Sequence, residues 1–374
     1  MALVAGETSG DLLASMLIQG LMSRWQDASF VGIGGPRMVN LGFSSWWPMY
    51  KLSVRGYVEV LRHYKEIIDI RRKLRCRLIE SPPDIFIGVD APDFNLELAR
   101  QLKEKGIPSI QFVCPSVWAW RANRLEKIRQ SIDHVLCLFP FEPALLNAHG
   151  IDATYVGHPL AQVIPEFVDK NAARAKLGLS SSELVLAILP GSRASEIDQL
   201  TTKFLEAAEI LSKNHSSLTV MLPIAPGLRS RIQRLAKRFS NSIHLKLIDG
   251  QSHDVLAAAD VALVASGTAT LEAALFKCPM VIAYSMPWIS WQLMKRQRLQ
   301  PWVGLPNILC GEFVVPELLQ SQANPFALAS AVEDWLNHPI KIVRMREKFQ
   351  TMHSILRTDT ITLATDAIEK ILAR

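Results

Sequence analysis

The sequence predicts an α/β protein of two domains, each a doubly wound parallel sheet covered by helices on both faces. Three observations lead to this prediction. The chain has 374 residues, more than one hydrophobic core usually supports. Short apolar runs rich in Val and Ile alternate with segments of helical period, as in parallel sheets with helical crossovers. The alternation breaks near residues 157–175, where a polar stretch separates two sets of strands.

Each short apolar run that precedes a segment of helical period is interpreted as a strand. The first set lies near residues 2–5, 29–33, 84–89, 108–113 and 134–138. The second set lies near residues 184–189, 218–222, 243–248, 261–264 and 280–284. From Pro325 onward only helices are expected, and the last one is expected to cross back to the first domain. The predicted parts are therefore domains 1–160 and 161–355 and a C-terminal helical segment, 356–374.

The composition is that of an ordinary globular protein, and the mean hydropathy of +0.15 together with the Trp content favours an unusually apolar surface. Hydrophobic residues make up 49% of the chain and charged residues 20%, with nine Trp. No apolar run approaches the ~20 residues that span a bilayer, so we expect neither a transmembrane helix nor a signal peptide. The odd number of dispersed cysteines, without a Cys-x-x-Cys pair, is typical of a reducing compartment, and we expect a cytoplasmic protein. These cysteines are Cys76, Cys114, Cys137, Cys278 and Cys310.

Most of the net charge of +6 lies in one segment, residues 55–77, which has eight Lys or Arg against three Asp or Glu. Its apolar residues recur at helical spacing. Such a stripe usually packs on its own sheet, but the cationic flank and the Trp pair just before it suit an interfacial helix on anionic lipid. Nucleic acid is a poor fit, because no stacking platform is interleaved with the charges. The predicted membrane-facing residues are Tyr57, Val58, Val60, Leu61, Tyr64, Ile67 and Ile68.

Two turns in the second half predict a sugar-nucleotide site. Gly191-Ser192-Arg193 follows a strand and opens a helix, which exposes backbone N–H groups beside a permanent charge suited to a diphosphate. Ser266-Gly267-Thr268 is a second such turn, and Glu272 shares a helix face with Thr268. A carboxylate there can accept hydrogen bonds from both hydroxyls of a ribose. Each turn alone is weak evidence for a phosphate site, because tight turns use Gly and Ser for backbone reasons and most surface arginines are solvated.

In the first half, Asp90 follows a predicted strand directly, and the turn from Gly6 to Asp11 follows another. Such strand ends line the cleft between two doubly wound domains. Asp90 is either a catalytic base or a helix cap, and Asp93 is the more favoured cap. The chain has no Asp-x-Asp pair, and its histidines show no spacing typical of metal ligands. We therefore expect no metal and no cofactor.

Several longer blocks carry a family resemblance. They are Val4-Ala5-Gly6-Glu7-Thr8-Ser9-Gly10-Asp11, Gly35-Pro36-Arg37-Met38, Asp90-Ala91-Pro92-Asp93-Phe94-Asn95, Pro115-Ser116-Val117-Trp118-Ala119-Trp120-Arg121, Phe139-Pro140-Phe141-Glu142 and Leu305-Pro306-Asn307. Together with the two turns, these blocks resemble the lipid-A-disaccharide synthase family of inverting GT-B glycosyltransferases. Cys114 and Arg55 depart from the family pattern, in which serine and an apolar residue are expected.

The resemblance implies a reaction and a set of site residues. UDP-2,3-diacylglucosamine would be joined to 2,3-diacylglucosamine 1-phosphate through a β-1,6 bond, with release of UDP, at the cytoplasmic face of the Gram-negative inner membrane. Asp90 would be the base, and Arg193 would stabilise the leaving diphosphate. The implied UDP-sugar contacts are Gly191, Ser192, Arg193, Ser266, Gly267, Thr268, Glu272 and Asn307. The implied acceptor contacts are Glu7, Ser9, Trp118, Trp120 and Arg121.

Alternatives stay open at this point. Trp118 and Trp120 could be core residues, and Asn307 could have a turn role. The second enzyme candidate is a non-hydrolysing UDP-sugar 2-epimerase, and a non-catalytic, membrane-associated nucleotide-sugar binding protein is a third. A dinucleotide oxidoreductase is disfavoured, because the first strand does not lead into Gly-x-Gly-x-x-Gly. The oligomeric state is left open, with a homodimer as one option.

Overall fold

The computed structural model describes residues 1–52, 57–119, 124–286, 291–292 and 299–373, and in the helix that begins at Tyr57 it describes side chains from residue 64 onward. The chain forms two compact units. The first is Met1–Pro159 with Leu356–Arg374, and the second is Leu160–Ile355. Each unit contains a parallel sheet flanked by helices, so the predicted doubly wound α/β class is confirmed.

The first unit has a seven-stranded parallel sheet with the order β3-β2-β1-β4-β5-β6-β7. Its strands are β1 Ala2–Ala5, β2 Val31–Gly34, β3 Ser44–Pro48, β4 Phe86–Val89, β5 Ser109–Phe112, β6 His134–Cys137 and β7 Ala153–Tyr155. Its helices are α1 Thr8–Arg24, α2 Pro36–Val39, α3 Tyr57–Glu80, α4 Pro92–Lys103, α5 Arg124–Ser131, α6 Glu142–Asn147 and, after the second unit, α16 Thr360–Leu372. Helix α7, Pro159–Val163, begins at the boundary.

Helix α16 packs on α1 within the first unit. The two helices approach closely at Gly20, where an added Cβ would lie 2.3 Å from Ile361 Cγ2. Arg24 at the end of α1 pairs with Asp366 at 2.7 Å and with Glu369 at 2.5 Å. Because these side chains are partly exposed, the ion pairs add little stability, and the buried contacts between the helices carry most of the association.

The second unit has a six-stranded parallel sheet with the order β10-β9-β8-β11-β12-β13. Its strands are β8 Leu184–Leu189, β9 Leu218–Ile224, β10 His244–Asp249, β11 Val261–Ala265, β12 Met280–Tyr284 and β13 Glu317–Leu319. Its helices are α8 Lys170–Lys176, α9 Ala194–Ser212, α10 Arg229–Ala236, α11 Ser252–Ala258, α12 Thr268–Leu275, α13 Leu305–Cys310, α14 Pro325–Asn337 and α15 Pro339–Leu356.

Three strands lie outside the predicted sets: β3, β7 and β13. All three are edge strands, and their residues are exposed or only half-buried. An edge strand is covered incompletely, so its sequence need not show the continuous apolar run that marks a central strand. The fourth edge strand, β10, was nonetheless predicted. Within the described parts of the chain, no helix is both long enough and apolar enough to cross a membrane.

Candidate functional site

In the first unit, polar turns follow β1 and β4, which are hydrogen-bonded neighbours. The carboxyl ends of parallel strands meet at one edge of a sheet. The turns touch there, since an added Cβ on Gly6 would lie 3.1 Å from Ala91 Cβ. Glu7 is half-buried at the start of α1, and Ser9 is exposed in its first turn. Glu7, Ser9 and Asp90 therefore share this edge.

Asp90 lies in a strained turn. Its φ is +52° and that of Ala91 is +42°, and at the end of the adjacent strand Val113 has a φ of +78°. Residues other than glycine in such backbone conformations cost about 1–3 kcal/mol each, and they cluster at functional sites. The N-cap of α4 is Ala91, so Asp90 precedes the cap position.

The prediction that Asp93 caps this helix is wrong. Asp93 lies inside the first turn of α4, and its side chain is 81% exposed. Its carboxylate accepts a hydrogen bond from Arg124 Nη2 at 2.7 Å. Asp93 therefore links α4 to α5 on the surface.

Trp118 is a core residue, contrary to its predicted role in cradling the acceptor. The ring is buried and packs edge-on against Phe139 and Phe141, with centroids 6.0 and 5.3 Å away. Its indole N–H donates to Glu142 Oε1 at 2.9 Å. Because the ring is buried among these aromatic side chains and its one polar atom is hydrogen-bonded, Trp118 supports the turn after β5. The predicted contacts of Trp120 and Arg121 lie outside the described residues.

Glu142, at the start of α6, is a buried carboxylate that the residue patterns alone did not single out. Burial raises its pKa to about 7, although hydrogen bonds from the Phe139 N–H, at 3.0 Å, and from Trp118 act in the opposite direction. Burial and this carboxylate together raise the pKa of Tyr155 to about 12. The sequence does hold one signal for Glu142: the residue follows a strand closely, in the block Phe139-Pro140-Phe141-Glu142. Glu142 is therefore a titratable group at the same edge as Asp90.

His158 is another buried titratable group of this unit. Its ring stacks on Phe139, with centroids 5.8 Å apart. Burial lowers its pKa to about 4, so the imidazole is neutral at neutral pH. A buried neutral histidine on an aromatic ring fits a packing role.

In the second unit, the Gly-Ser-Arg turn joins β8 to α9. Gly191 has a φ of +116°, and an added Cβ would lie 2.3 Å from Glu196 Oε2, so only glycine fits. The N–H groups of Ser192 and Arg193 donate to that oxygen at 3.1 and 3.3 Å. The Arg193 side chain is 55% exposed and approaches Glu196 Oε1 at 3.2 Å. A carboxylate thus occupies the donors predicted for a phosphate, as anions do at helix N-termini.

The second predicted turn follows β11, the neighbour of β8 in the sheet. Ser266 Oγ donates to the Val303 carbonyl at 3.2 Å, and Gly267 and Thr268 are exposed at the start of α12. One turn later, Glu272 Oε2 lies 3.4 Å from His253 Nε2. This hydrogen bond raises the pKa of His253. His253, which lies in α11, was not predicted from the sequence.

Asn307, predicted as a donor-side contact, has both ends of its amide hydrogen-bonded within the protein. The residue is fully buried, and its Nδ2 donates to the Val315 carbonyl and to Glu317 Oε1, both at 2.9 Å. Its Oδ1 accepts from the N–H groups of Val314 and Val315 at 2.8 and 2.9 Å. Because the whole amide is used, Asn307 is a structural residue that fastens the loop before β13.

The predicted membrane stripe divides between two faces of α3. Tyr64 and Ile68 are 54% and 36% exposed, whereas Ile67 packs against the core together with Ile70 and Leu74. Ile67 is therefore half-buried on the core-facing side of α3 and not among its exposed residues. The predicted side chains of Tyr57, Val58, Val60 and Leu61 lie outside the described residues. Among the described residues, no cluster of three or more His, Cys, Asp or Glu is arranged to hold a metal ion.

Comparison with known proteins defines the class. MurG of Acinetobacter baumannii has a similar structure, with a TM-score of 0.57 at 13% identity, covering 99% of both chains. UDP-GlcNAc 2-epimerase of Neisseria meningitidis gives 0.61 at 12% identity, covering 100% of this chain and 98% of its own. At such identities the likeness shows the fold alone. The two Rossmann-like units have the GT-B fold of glycosyltransferases.

The particular family follows from sequence. The family model described as lipid-A-disaccharide synthetase matches residues 1–368. Lipid-A-disaccharide synthases of Albidiferax ferrireducens and Verminephrobacter eiseniae are 58% and 54% identical, each over 100% of this chain and 97% of theirs. This chain belongs to the lipid-A-disaccharide synthase family. Its role is that of a glycosyltransferase of lipid A biosynthesis that binds a UDP-sugar donor, and the epimerase alternative is not favoured.

Proposed function

We propose that this protein transfers 2,3-diacylglucosamine from UDP-2,3-diacylglucosamine to 2,3-diacylglucosamine 1-phosphate, forming a β-1,6 bond with inversion and releasing UDP. Membership of the family supports the reaction. The observation that carries the proposal is the strained turn at Asp90, which touches the turn that contains Glu7 and Ser9 at the carboxyl edge of the first sheet. Strain at such an edge is typical of a functional site.

In this proposal Asp90 is the general base. The hydroxyl of the acceptor sugar must lose its proton as the new C–O bond forms, and a single positioned carboxylate suffices because inversion needs no covalent sugar–enzyme intermediate. Glu7 and Ser9 supply polar contacts to the acceptor from the adjacent turn. Trp118 is buried in this proposal and supports the turn after β5, and it does not contact the sugar.

The second unit binds the donor in this proposal. Gly191, Ser192 and Arg193 hold the diphosphate, and the side chain of Glu196 yields its hydrogen bonds when the phosphate oxygens enter. Ser266, Gly267 and Thr268 add the N-terminus of α12, and Glu272 accepts the ribose hydroxyls. Arg193 and the two helix N-termini neutralise the charge that develops on UDP. Since the chain has no Asp-x-Asp pair, we propose that the reaction needs no metal and no cofactor.

We also propose that the protein works as a peripheral enzyme on the cytoplasmic face of the inner membrane. Both proposed substrates carry acyl chains, which partition into lipid. The exposed Tyr64 and Ile68 on α3, close to the exposed cations Arg72 and Lys73, have the composition of an interfacial helix face.

One assay tests the reaction. The purified protein is incubated with both lipid substrates, and UDP and disaccharide are quantified together. We expect equal amounts of the two products, a loss of ~10²–10⁴-fold in turnover for Asp90→Asn, and unchanged UDP affinity. UDP release without disaccharide would contradict transfer, and near-normal turnover of a folded Asp90→Asn protein would remove Asp90 as the base.

A further inference from the structure

The main chain at Asp90 is held on both sides by hydrogen bonds. Its N–H donates to the Phe112 carbonyl at 2.9 Å. Its carbonyl oxygen accepts from Asn95 Nδ2 at 2.8 Å and from Gln111 Nε2 at 3.0 Å. Because a carbonyl oxygen has two lone pairs, its acceptor capacity is filled. Both peptide planes are thereby fixed, and with them the direction of the Asp90 Cα–Cβ bond.

The two amides that hold this carbonyl are buried, with 0% of Asn95 and 1% of Gln111 exposed. Asn95 also donates to the Val4 carbonyl at 3.3 Å, and Gln111 to the Val113 carbonyl at 3.4 Å. They join the ends of β1, β4 and β5 at one point. Burying an amide is costly unless it is paired, and Asn95 Oδ1 has no partner among the described residues. The hydrogen bonds that Asn95 Nδ2 donates to the main-chain carbonyls are therefore the reason for an amide side chain at this position.

The sheet makes room for this pair at Gly88 in β4. An added Cβ on Gly88 would lie 2.7 Å from Asn95 Cβ and 2.9 Å from Gln111 Oε1. Real Cβ atoms do not approach so closely, so any larger residue would displace one of the amides. The absence of a side chain at Gly88 in β4 thus lets Asn95 of α4 and Gln111 of β5 reach the Asp90 carbonyl.

We propose that Asn95 and Gln111 are positioning residues, which hold the carboxylate of Asp90 in its reactive direction; this inference rests on the base role proposed for Asp90. Asn95 and Gln111 are buried in the sheet and act through the Asp90 main chain. Asp90 and Ala91 adopt conformations that L-residues avoid. Without the amides the turn relaxes, and a displacement of ~1 Å in a catalytic group costs ~10²-fold in rate.

Three variants test the pair by removing hydrogen-bond donors while keeping side-chain volume. They are Gln111→Met, Asn95→Leu and, as the smallest change, Asn95→Asp. We expect kcat for UDP release to fall ~10–100-fold with KM for both substrates within ~3-fold. We also expect the acid limb of the pH–rate profile to move, because the carboxylate leaves its environment. Wild-type kcat and an unmoved profile in folded variants would overturn the inference.

Ser109→Ala is the matched control. Ser109 begins the same strand as Gln111, is fully buried, and its Oγ donates to the carbonyls of Ile107 and Ala99 at 3.2 and 3.5 Å. Its loss removes buried hydrogen bonds from the opposite end of β5. We expect a lower melting temperature with wild-type kcat. An equal loss of kcat in this control would mean that the pair acts only through general stability.

Two further proteins separate the possible failures. Ala91→Gly added to Gln111→Met relieves the backbone strain, and we expect it to restore the melting temperature but not kcat; restored kcat would overturn positioning. Turnover by Asp90→Asn would end both the base role and this inference. An inactive Asp90→Asn beside fully active Gln111→Met, Asn95→Leu and Asn95→Asp would end the positioning role alone.

Discussion

The raised pKa of the buried Glu142 carboxyl predicts how the free energy of unfolding changes with pH. Its pKa of about 7 in the folded protein lies above the ordinary value of 4.5. The folded state therefore favours the protonated form. The resulting stabilisation is complete below pH 4.5 and is lost as the pH rises through 7. Glu142→Gln places a neutral side chain of the same shape in the site and removes this dependence.

The size of the effect follows from the two pKa values. At 1.36 kcal/mol for each pK unit, the full difference is about 3 kcal/mol, of which about 1 kcal/mol falls between pH 6 and pH 8. His158 acts in the opposite sense: its pKa is lowered to about 4, so its contribution is lost as the pH falls from 6.5 through 4. It is present in both proteins and cancels in the difference. Any hydrogen bond lost at Trp118 adds a constant offset at every pH.

Urea denaturation of both proteins, followed by tryptophan fluorescence at pH 5, 6, 7 and 8, measures this difference. We expect the variant to gain about 1 kcal/mol relative to wild type between pH 6 and pH 8. Glu126→Gln is the control, because Glu126 is exposed and hydrogen bonds from Arg129 lower its pKa, so it does not titrate in this window. A Glu142→Gln difference that stays constant from pH 6 to pH 8 would refute the buried-acid reasoning.

Four shorter predictions concern the donor site, the loop, the membrane and metal. Arg193→Ala should lower kcat/KM for UDP release at least ~10-fold with an unchanged melting temperature; a wild-type rate would remove its role. Asn307→Ala should lose about 1–3 kcal/mol of stability in urea, whereas unchanged stability would reopen the donor contact. Tyr64→Ser with Ile68→Ser should reduce sedimentation with anionic vesicles without destabilisation, while Ile67→Ser should lower the melting temperature; the reverse pattern would exchange the two faces of α3. Turnover should persist in excess EDTA, and an absolute Mg²⁺ requirement would contradict the proposed charge neutralisation.

The sequence by itself determined the fold class and the central strands. Strands such as β1, β4, β8 and β11 are covered by helices on both faces, so nearly every residue in them is apolar and the run is visible in one dimension. The same coverage is missing at the edge strands β3, β7 and β13, whose sequences do not show such a run. The turns around Asp90 and Gly191 could also be located, because they follow central strands directly.

Only the tertiary structure decided what several polar side chains do. Asn307 is held by Glu317 and the Val315 main chain, and Trp118 by Glu142. The amides that fix Asp90 come from different elements, α4 and β5. A hydrogen bond requires a partner at about 3 Å, and residue type alone does not reveal which carbonyl or carboxylate the fold brings there. A polar residue beside a strand end is thus recognised from sequence, but folding decides whether it faces a ligand or fastens the chain.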